Sequence, residues 1–170
     1  HVIRPGSAAE TAEAWAMAVD RADGPTALVL TRQSLPETEG VGGPGVRRGG
    51  YVVRDGDDVV VVATGSEVWV AVEAAALLDE RGVSARVVSM PSVDVFVEQD
   101  EDYRTEVLGS GIPRVSVEAA ATLGWDRIVG ADGLTIGIDH FGASAPWERI
   151  AEEYGFTPDQ VADRIADWLD

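Results

Sequence analysis

Cysteine and lysine are both absent from this 170-residue chain, and only two histidines, His1 and His140, occur in it. Without cysteine there is no disulfide, no thiolate nucleophile and no zinc–thiolate site. Two isolated histidines provide no H-x-x-H or H-E-x-x-H spacing, which removes the usual transition-metal sites. Bases are scarce: thirteen, all of them arginine, stand against thirty acids, for a formal net charge of -17. Such a chain lacks the basic footprint that nucleic-acid binding needs, and a polybasic membrane patch is excluded on the same ground. No apolar run approaches the ~20 residues that span a bilayer. A G-x-S-x-G elbow and a Walker loop are missing as well. The lack of cysteine fits a cytoplasmic location. The all-arginine base content, with abundant Ala, Val, Gly and Asp, reads as a codon bias rather than a functional choice.

What is present is ordinary globular material. Apolar residues make up 45% and charged residues 25% of the chain, which excludes disorder for its bulk. The length allows one domain, or one domain plus part of another. The chain starts at His1 rather than Met and is expected to be a piece of something longer.

The pattern along the chain divides it in three. "VIRP" (2–5) reads as a strand end running into a loop. Ser7 and Glu10 form an S-x-x-E capping box, followed by Ala12, Trp15, Ala16 and Val19 as one apolar helical face. Gly24-Pro25 stops that helix before a short strand, "TALVL" (26–30). Residues 33–50 hold six glycines and two prolines with little periodicity, and are expected to be a linker. Residues 1–32 therefore carry one helix and short strands, too little for a sheet, and are expected to belong to a mostly missing domain.

From 51 onward the pattern is more complete. Strands are expected at 51–54, 59–64, 85–90, 114–118 and 134–139. Helices are expected at 67–80 and 100–108, from Ser144 with Pro146 in the first turn to Gly155, and after Thr157. The last carries Thr157, Pro158 and Gln160 as cap, N1 and N3. Alternating strands and helices predict a three-layer α/β/α domain with a mostly parallel sheet and one short edge strand.

Four places could carry chemistry. In "ATGSEV" (63–68) the amides at a strand–turn–helix junction could hold an anion, or Glu67 could fill that turn itself. The run "EQDED" (98–102) could bind a hard cation, but lacks the oxygen spacing and turn glycine of a calcium loop and reads better as a solvated helix start. His140 beside Asp139 could be an oriented base, though a lone strand-end histidine is more often structural or exposed. Arg32 is the most informative. It follows the strand "TALVL" with no obvious acidic partner nearby, at the carboxyl end where α/β sheets collect ligands. A guanidinium there can grip a phosphate bidentately and cannot be neutralised. Pairing with a distant acid is the competing reading. Arg47 and Arg48 in the linker are expected to be flexible surface charge.

Taken in order, "VIRPGSAAETAEAW", "GPTALVLTRQSLP", "VVVVATGSEVWVAVEAAALL", "ARVVSMPSVDVFVEQDEDYRTEVL", "VSVEAA", "IGIDHFGASAP" and "EEYGFTPDQVADRI" resemble the C-terminal part of transketolase. The resemblance covers nearly the whole chain. It implies transfer of a two-carbon ketol unit from a ketose phosphate to an aldose phosphate, as in the pentose phosphate pathway. It implies a homodimer using thiamine diphosphate and a divalent metal, Mg2+ or Ca2+, in the complete enzyme. Residues 1–32 would then be the last helix and strand of the pyrimidine-binding domain, and 51–170 a C-terminal domain that does not touch the cofactor.

One site residue carries over: the family's S-R-Q arginine, which contacts substrate phosphate, falls on Arg32 within T-R-Q. No catalytic, cofactor or metal residue is expected in this segment, which should be inactive alone. Its partners would be sugar phosphates and the rest of the transketolase chain, or else a separate N-terminal subunit. Other thiamine-dependent enzymes, of the pyruvate dehydrogenase β or deoxyxylulose phosphate synthase type, share the C-terminal fold. A free-standing ligand-binding α/β module using the amides of 65–67 is the non-enzymatic alternative.

Overall fold

The run of small β-branched residues Val59–Ala63 sits at the centre of the molecule, fully buried on both faces. In the computed structural model, which describes residues 1–170, it is the middle strand, β4, of a five-stranded sheet. Around it lie β3 (Tyr51–Arg54), β5 (Ala85–Ser89), β6 (Arg114–Val117) and β7 (Leu134–Ile136), in the order β3-β5-β4-β6-β7. The four inner and right-hand strands run parallel, and short β3 pairs antiparallel with β5 at one edge. This is the expected mostly parallel sheet with one short edge strand. Continuous apolar strands are what such a sheet requires, since helices cover both of its faces.

The pleat of β4 divides the core. Val59, Val61 and Ala63 face α2 (Glu67–Glu80) and α7 (Pro158–Leu169), where Leu78, Val161 and Ile165 are buried, while α6 (Trp147–Tyr154) lies at the margin. Val60 and Val62 face the other way, onto Phe96 of α3 (Val93–Val97), Leu108 of α4 (Glu101–Leu108) and Ile128 of α5 (Asp126–Val129). Each fully buried valine or leucine contributes about 1.5–3 kcal/mol of transfer free energy. No helix is long and apolar enough to cross a membrane.

Residues 1–32 make a second, minimal sheet. β1 (Val2–Ile3) pairs parallel with β2 (Ala27–Leu28), and α1 (Ala8–Asp20) connects them. The strand expected over 26–30 is thus only two residues long, because β2 finds a partner on one side alone. Val29 and Leu30 are exposed. The helical face expected to be apolar points outward: Trp15 is 56% and Val19 79% exposed. α1 instead buries Glu10 and Ala14.

The glycine-rich stretch 33–50 is more ordered than its composition predicts. It contains a 3-10 turn, Pro44–Arg48, and buries Val41 and Val46. Pro146 caps α6 rather than lying inside its first turn. Thr157 and Gln160 form the expected reciprocal capping box.

Candidate functional site

The segment 4–10 lies along the carboxyl edge of the large sheet. The Arg4 amide donates to Pro91 O at 2.7 Å, and the Gly65 amide donates to Arg4 O at 3.0 Å. The winding of the sheet reverses between β4 and β6, the position where open α/β sheets usually bind ligands. Here that position is filled by the chain itself. One of the amides considered for anion binding, that of Gly65, is spent on the Arg4 carbonyl, and the Glu67 amide bonds Thr64 O at 3.1 Å.

Two carboxylates flank Arg4. Glu118, just past β6, has Oε1 3.1 Å from Arg4 Nε and accepts from the Thr64 hydroxyl at 3.2 Å; Oε2 accepts from the Trp125 indole at 2.7 Å. Glu67 is buried at the start of α2, where its carboxylate accepts from the Ser66 hydroxyl at 2.7 Å and the Ala119 amide at 3.1 Å. Burial pushes the Glu67 carboxyl above the ordinary glutamate range, against the two hydrogen bonds and the charge of Arg4, and Glu118 adds to the upward push. The sequence favoured Glu67 filling the first turn of its own helix; the carboxylate instead reaches Ser66 and Ala119. It ties α2 to the loop after β6.

Arg32 lies four residues beyond β2, exposed, with neither an ion pair nor a hydrogen bond inside the chain. The distant acid that could have explained it is not there: none of the ion pairs of the chain includes Arg32. Instead Arg32 lines an open cleft of about 290 Å³ with Arg4, Thr31, Gln33, Gly65 and Ser66. Every charged group lining this cleft is a guanidinium, in a molecule of large negative charge. Such a local field attracts small anions despite the acidic whole.

The other candidates come apart. Asp139 accepts from the amide and hydroxyl of Thr122, at 2.9 and 2.8 Å, and these bonds hold its carboxyl below the ordinary aspartate range. It does not orient His140, whose Nδ1 meets Phe141 O at 2.9 Å and whose ring stands edge-on to Tyr154. In "EQDED", Asp100 is the N-cap of α4, accepting from the Tyr103 amide at 2.8 Å. Nowhere do three or more His, Asp or Glu side chains converge as a metal-ligating group. Arg47 and Arg48, expected to be free, are both engaged. Arg47 bridges Glu13 and Asp20 of α1, and Arg48 pairs with Asp100 and stacks on the Tyr103 ring 3.2 Å from its centroid.

A buried polar joint escaped the sequence reading altogether. Glu10 is completely inaccessible, yet no cation pairs with it. Its Oε2 accepts from the Gly6 amide at 2.6 Å, and Oε1 from the Tyr51 and Ser89 hydroxyls at 2.7 and 2.5 Å. The Tyr51 oxygen also accepts from the Gly42 amide at 2.6 Å. Burial and the neighbouring carboxylate push the Tyr51 phenol far above the usual tyrosine range. S-x-x-E signalled a cap, and Ser7 does bond the Glu10 amide at 3.0 Å, but the glutamate serves the joint.

This arrangement defines an α/β domain whose sheet edge is closed by a preceding segment that carries an arginine-lined cleft. The model of the transketolase-like C-terminal domain matches residues 49–157. A plasmid-encoded transketolase of Cupriavidus necator is 51% identical over 165 residues, 95% of this chain and 25% of that protein. The transketolase of Geobacillus stearothermophilus is 48% identical over 171 residues, 96% of this chain and 26% of that one. The solved transketolase of Pichia stipitis in complex with sedoheptulose 7-phosphate superposes with a TM-score of 0.94 at 39% identity, over 99% of this chain and 25% of that one. The chain belongs to the transketolase family. It spans about a quarter of the length of the relatives it matches.

Proposed function

We propose that this chain is the C-terminal part of a transketolase, and that Arg32 binds the phosphate of its sugar substrates. The complete enzyme would move a two-carbon ketol unit from a ketose phosphate to an aldose phosphate, in the cytoplasm and as a homodimer. Thiamine diphosphate and a divalent ion, Mg2+ or Ca2+, would supply the bond-breaking chemistry. The residues present do not fit the divalent ion, since no acidic or histidine cluster suited to a metal exists here. Those sites would lie in the rest of the transketolase chain, or in a separate N-terminal subunit, and this piece alone would be inactive.

The observation that carries the Arg32 assignment is its unpaired guanidinium, lining a cleft with a second arginine at the end of β2. The sugar phosphate in the Pichia stipitis structure supports the substrate class. Residues 1–32 are read as the end of the pyrimidine-binding domain, 33–50 as a linker and 51–170 as the C-terminal domain. The separate two-stranded sheet and the uncovered Trp15 and Val19 support that division. The alternative of a free-standing module loses ground, because the Gly65 amide it would use already serves Arg4.

The test is Arg32→Ala in the complete enzyme, with sedoheptulose 7-phosphate and sedoheptulose compared as donors. Loss of a charged hydrogen-bond partner should cost about 1.5–3 kcal/mol of binding, seen as a raised KM for the phosphorylated donor alone. An equal effect on both donors would contradict the assignment.

A further inference from the structure

The arginine-lined cleft contains one free guanidinium, Arg32, and one that is held in check, Arg4. The pairing is lopsided. Arg4 Nε lies 3.1 Å from Glu118 Oε1 as an ion pair without hydrogen-bond geometry, and no guanidinium nitrogen of Arg4 makes a hydrogen bond within the chain. Glu118 is fixed independently of Arg4 by the Thr64 hydroxyl and the Trp125 indole. The pair is also largely shielded from water, with side-chain exposures of 27% for Arg4 and 13% for Glu118. Charges in such a setting are screened far less than free surface charges. The second carboxylate near Arg4, Glu67, is engaged by Ser66 and Ala119.

Resting on the reading of Arg32 as a phosphate anchor, we propose that the Arg4–Glu118 pair sets the specificity of the cleft: Glu118 offsets the charge of Arg4 and so limits how strongly phosphorylated sugars are preferred over neutral ones. A phosphate in the cleft feels the sum of the local charges. With the pair intact, Glu118 offsets Arg4 and leaves Arg32 as the cleft's one guanidinium without an ion-pair partner. Neutralising Glu118 releases a second guanidinium toward the anion. Removing Arg4 leaves a carboxylate uncovered and weakens anion binding. Arg4 and Glu118 thus act on the substrate with opposite signs.

Opposite signs distinguish this role from that of a structural clamp, whose two halves fail in the same direction. In the complete enzyme, Glu118→Gln keeps an oxygen for the Trp125 indole and should lower KM for sedoheptulose 7-phosphate several-fold. KM for sedoheptulose and kcat for both should stay unchanged. Arg4→Met should raise KM for the phosphorylated donor only. In the Arg4→Met background, Glu118→Gln should give a smaller decrease than it gives alone, because no guanidinium is released. Inhibition by inorganic phosphate should follow the same order, tightest in Glu118→Gln. KM changes of the same sign in the two single variants, no change in Glu118→Gln, or equal effects on both donors would each overturn the proposal. If Glu118→Gln does not fold, Arg4→Met decides by itself: a KM rise shared by both donors refutes the proposal. Arg32→Ala measured in parallel separates the two claims. When it loses discrimination between donors but Glu118→Gln changes nothing, the anchor stands and the tuning pair falls. When Arg32→Ala shows no discrimination, the anchor itself has failed.

Discussion

Tyr51 and Glu10 meet across the joint between the two sheets, with the phenol hydroxyl 2.7 Å from a carboxylate that has no cationic partner. A buried carboxylate survives only when its lone pairs are filled by donors, and three donors fill these. Tyr51→Phe removes one donor from Glu10 and leaves the Gly42 amide without its acceptor. The expected loss is about 1.5–3 kcal/mol in urea unfolding, since one partner of the lost bond is charged. The wild-type chain should also lose stability as pH rises above the ordinary tyrosine range. The unfolded phenol ionises there while the folded one, with its raised pKa, does not, and Tyr51→Phe should reduce that dependence to the part left by Tyr103, whose phenol burial also pushes up.

Glu67 gives a second pH dependence, at lower pH. Its folded pKa is raised, so the native state holds a proton that the unfolded state has lost once pH passes the ordinary glutamate value. The contribution to stability is fully present below that value and is lost as pH rises through the folded pKa. Glu67→Gln can still accept from the Ala119 amide and donate to Ser66, and should flatten this part of the profile. Denaturant midpoints measured from acid to neutral pH check it. An unchanged slope would mean that Glu67 is already ionised in the folded state.

How much of this was legible in the sequence depends on whether a residue acts locally. The buried strands Val59–Ala63 and Ala85–Ser89 announce themselves as short apolar runs, and α7 through Thr157, Pro158 and Gln160. α3 does not: the β-branched run "VDVFV" carries no helix signal and no element was expected there, yet it is helical and buries Phe96 against Gly49 and Gly50. The linker composition concealed Val41 and Val46, whose burial depends on partners far away in sequence. Arg32 was visible because it breaks an apolar run. Glu10, Glu67 and Glu118 were not singled out for these roles, since each depends on a partner far along the chain, 41, 52 and 54 positions away respectively. Arg4, the second arginine of the cleft, could have been found only from its place beside Pro5 at the end of the first strand.

Gly6 packs against the Gly65 turn that leads into α2. A Cβ at this position would press into the carbonyl oxygen of Gly65 and sit 3.2 Å from a Val68 methyl. Backbone cannot swing aside as a side chain can, so Gly6→Ala must lift the segment that carries Arg4. Forcing atoms into a packed site typically costs about 1–3 kcal/mol. The expected result is a lowered unfolding midpoint together with faster hydrogen exchange at the Gly65 amide, which bonds Arg4 O. Protection of that amide unchanged from wild type would show that the joint absorbs the methyl elsewhere.

Arg32→Lys separates charge from geometry in the cleft. Lysine keeps the positive charge but replaces a planar fork with a single, strongly hydrated ammonium. If the phosphate is held bidentately, Arg32→Lys in the complete enzyme should recover only part of the affinity lost in Arg32→Ala, because one of two parallel charge-assisted bonds is gone. If the cleft works as a diffuse positive field, lysine should restore binding fully, and the KM for phosphorylated donors should show a stronger salt dependence. The open cleft and the exposure of Arg32 leave room for either side chain without a clash, so folding should be unaffected in both variants. We expect the partial recovery. The fork of Arg32 has no other partner in the chain, and a guanidinium with all its donors unspent is suited to meeting two oxygens of one phosphate.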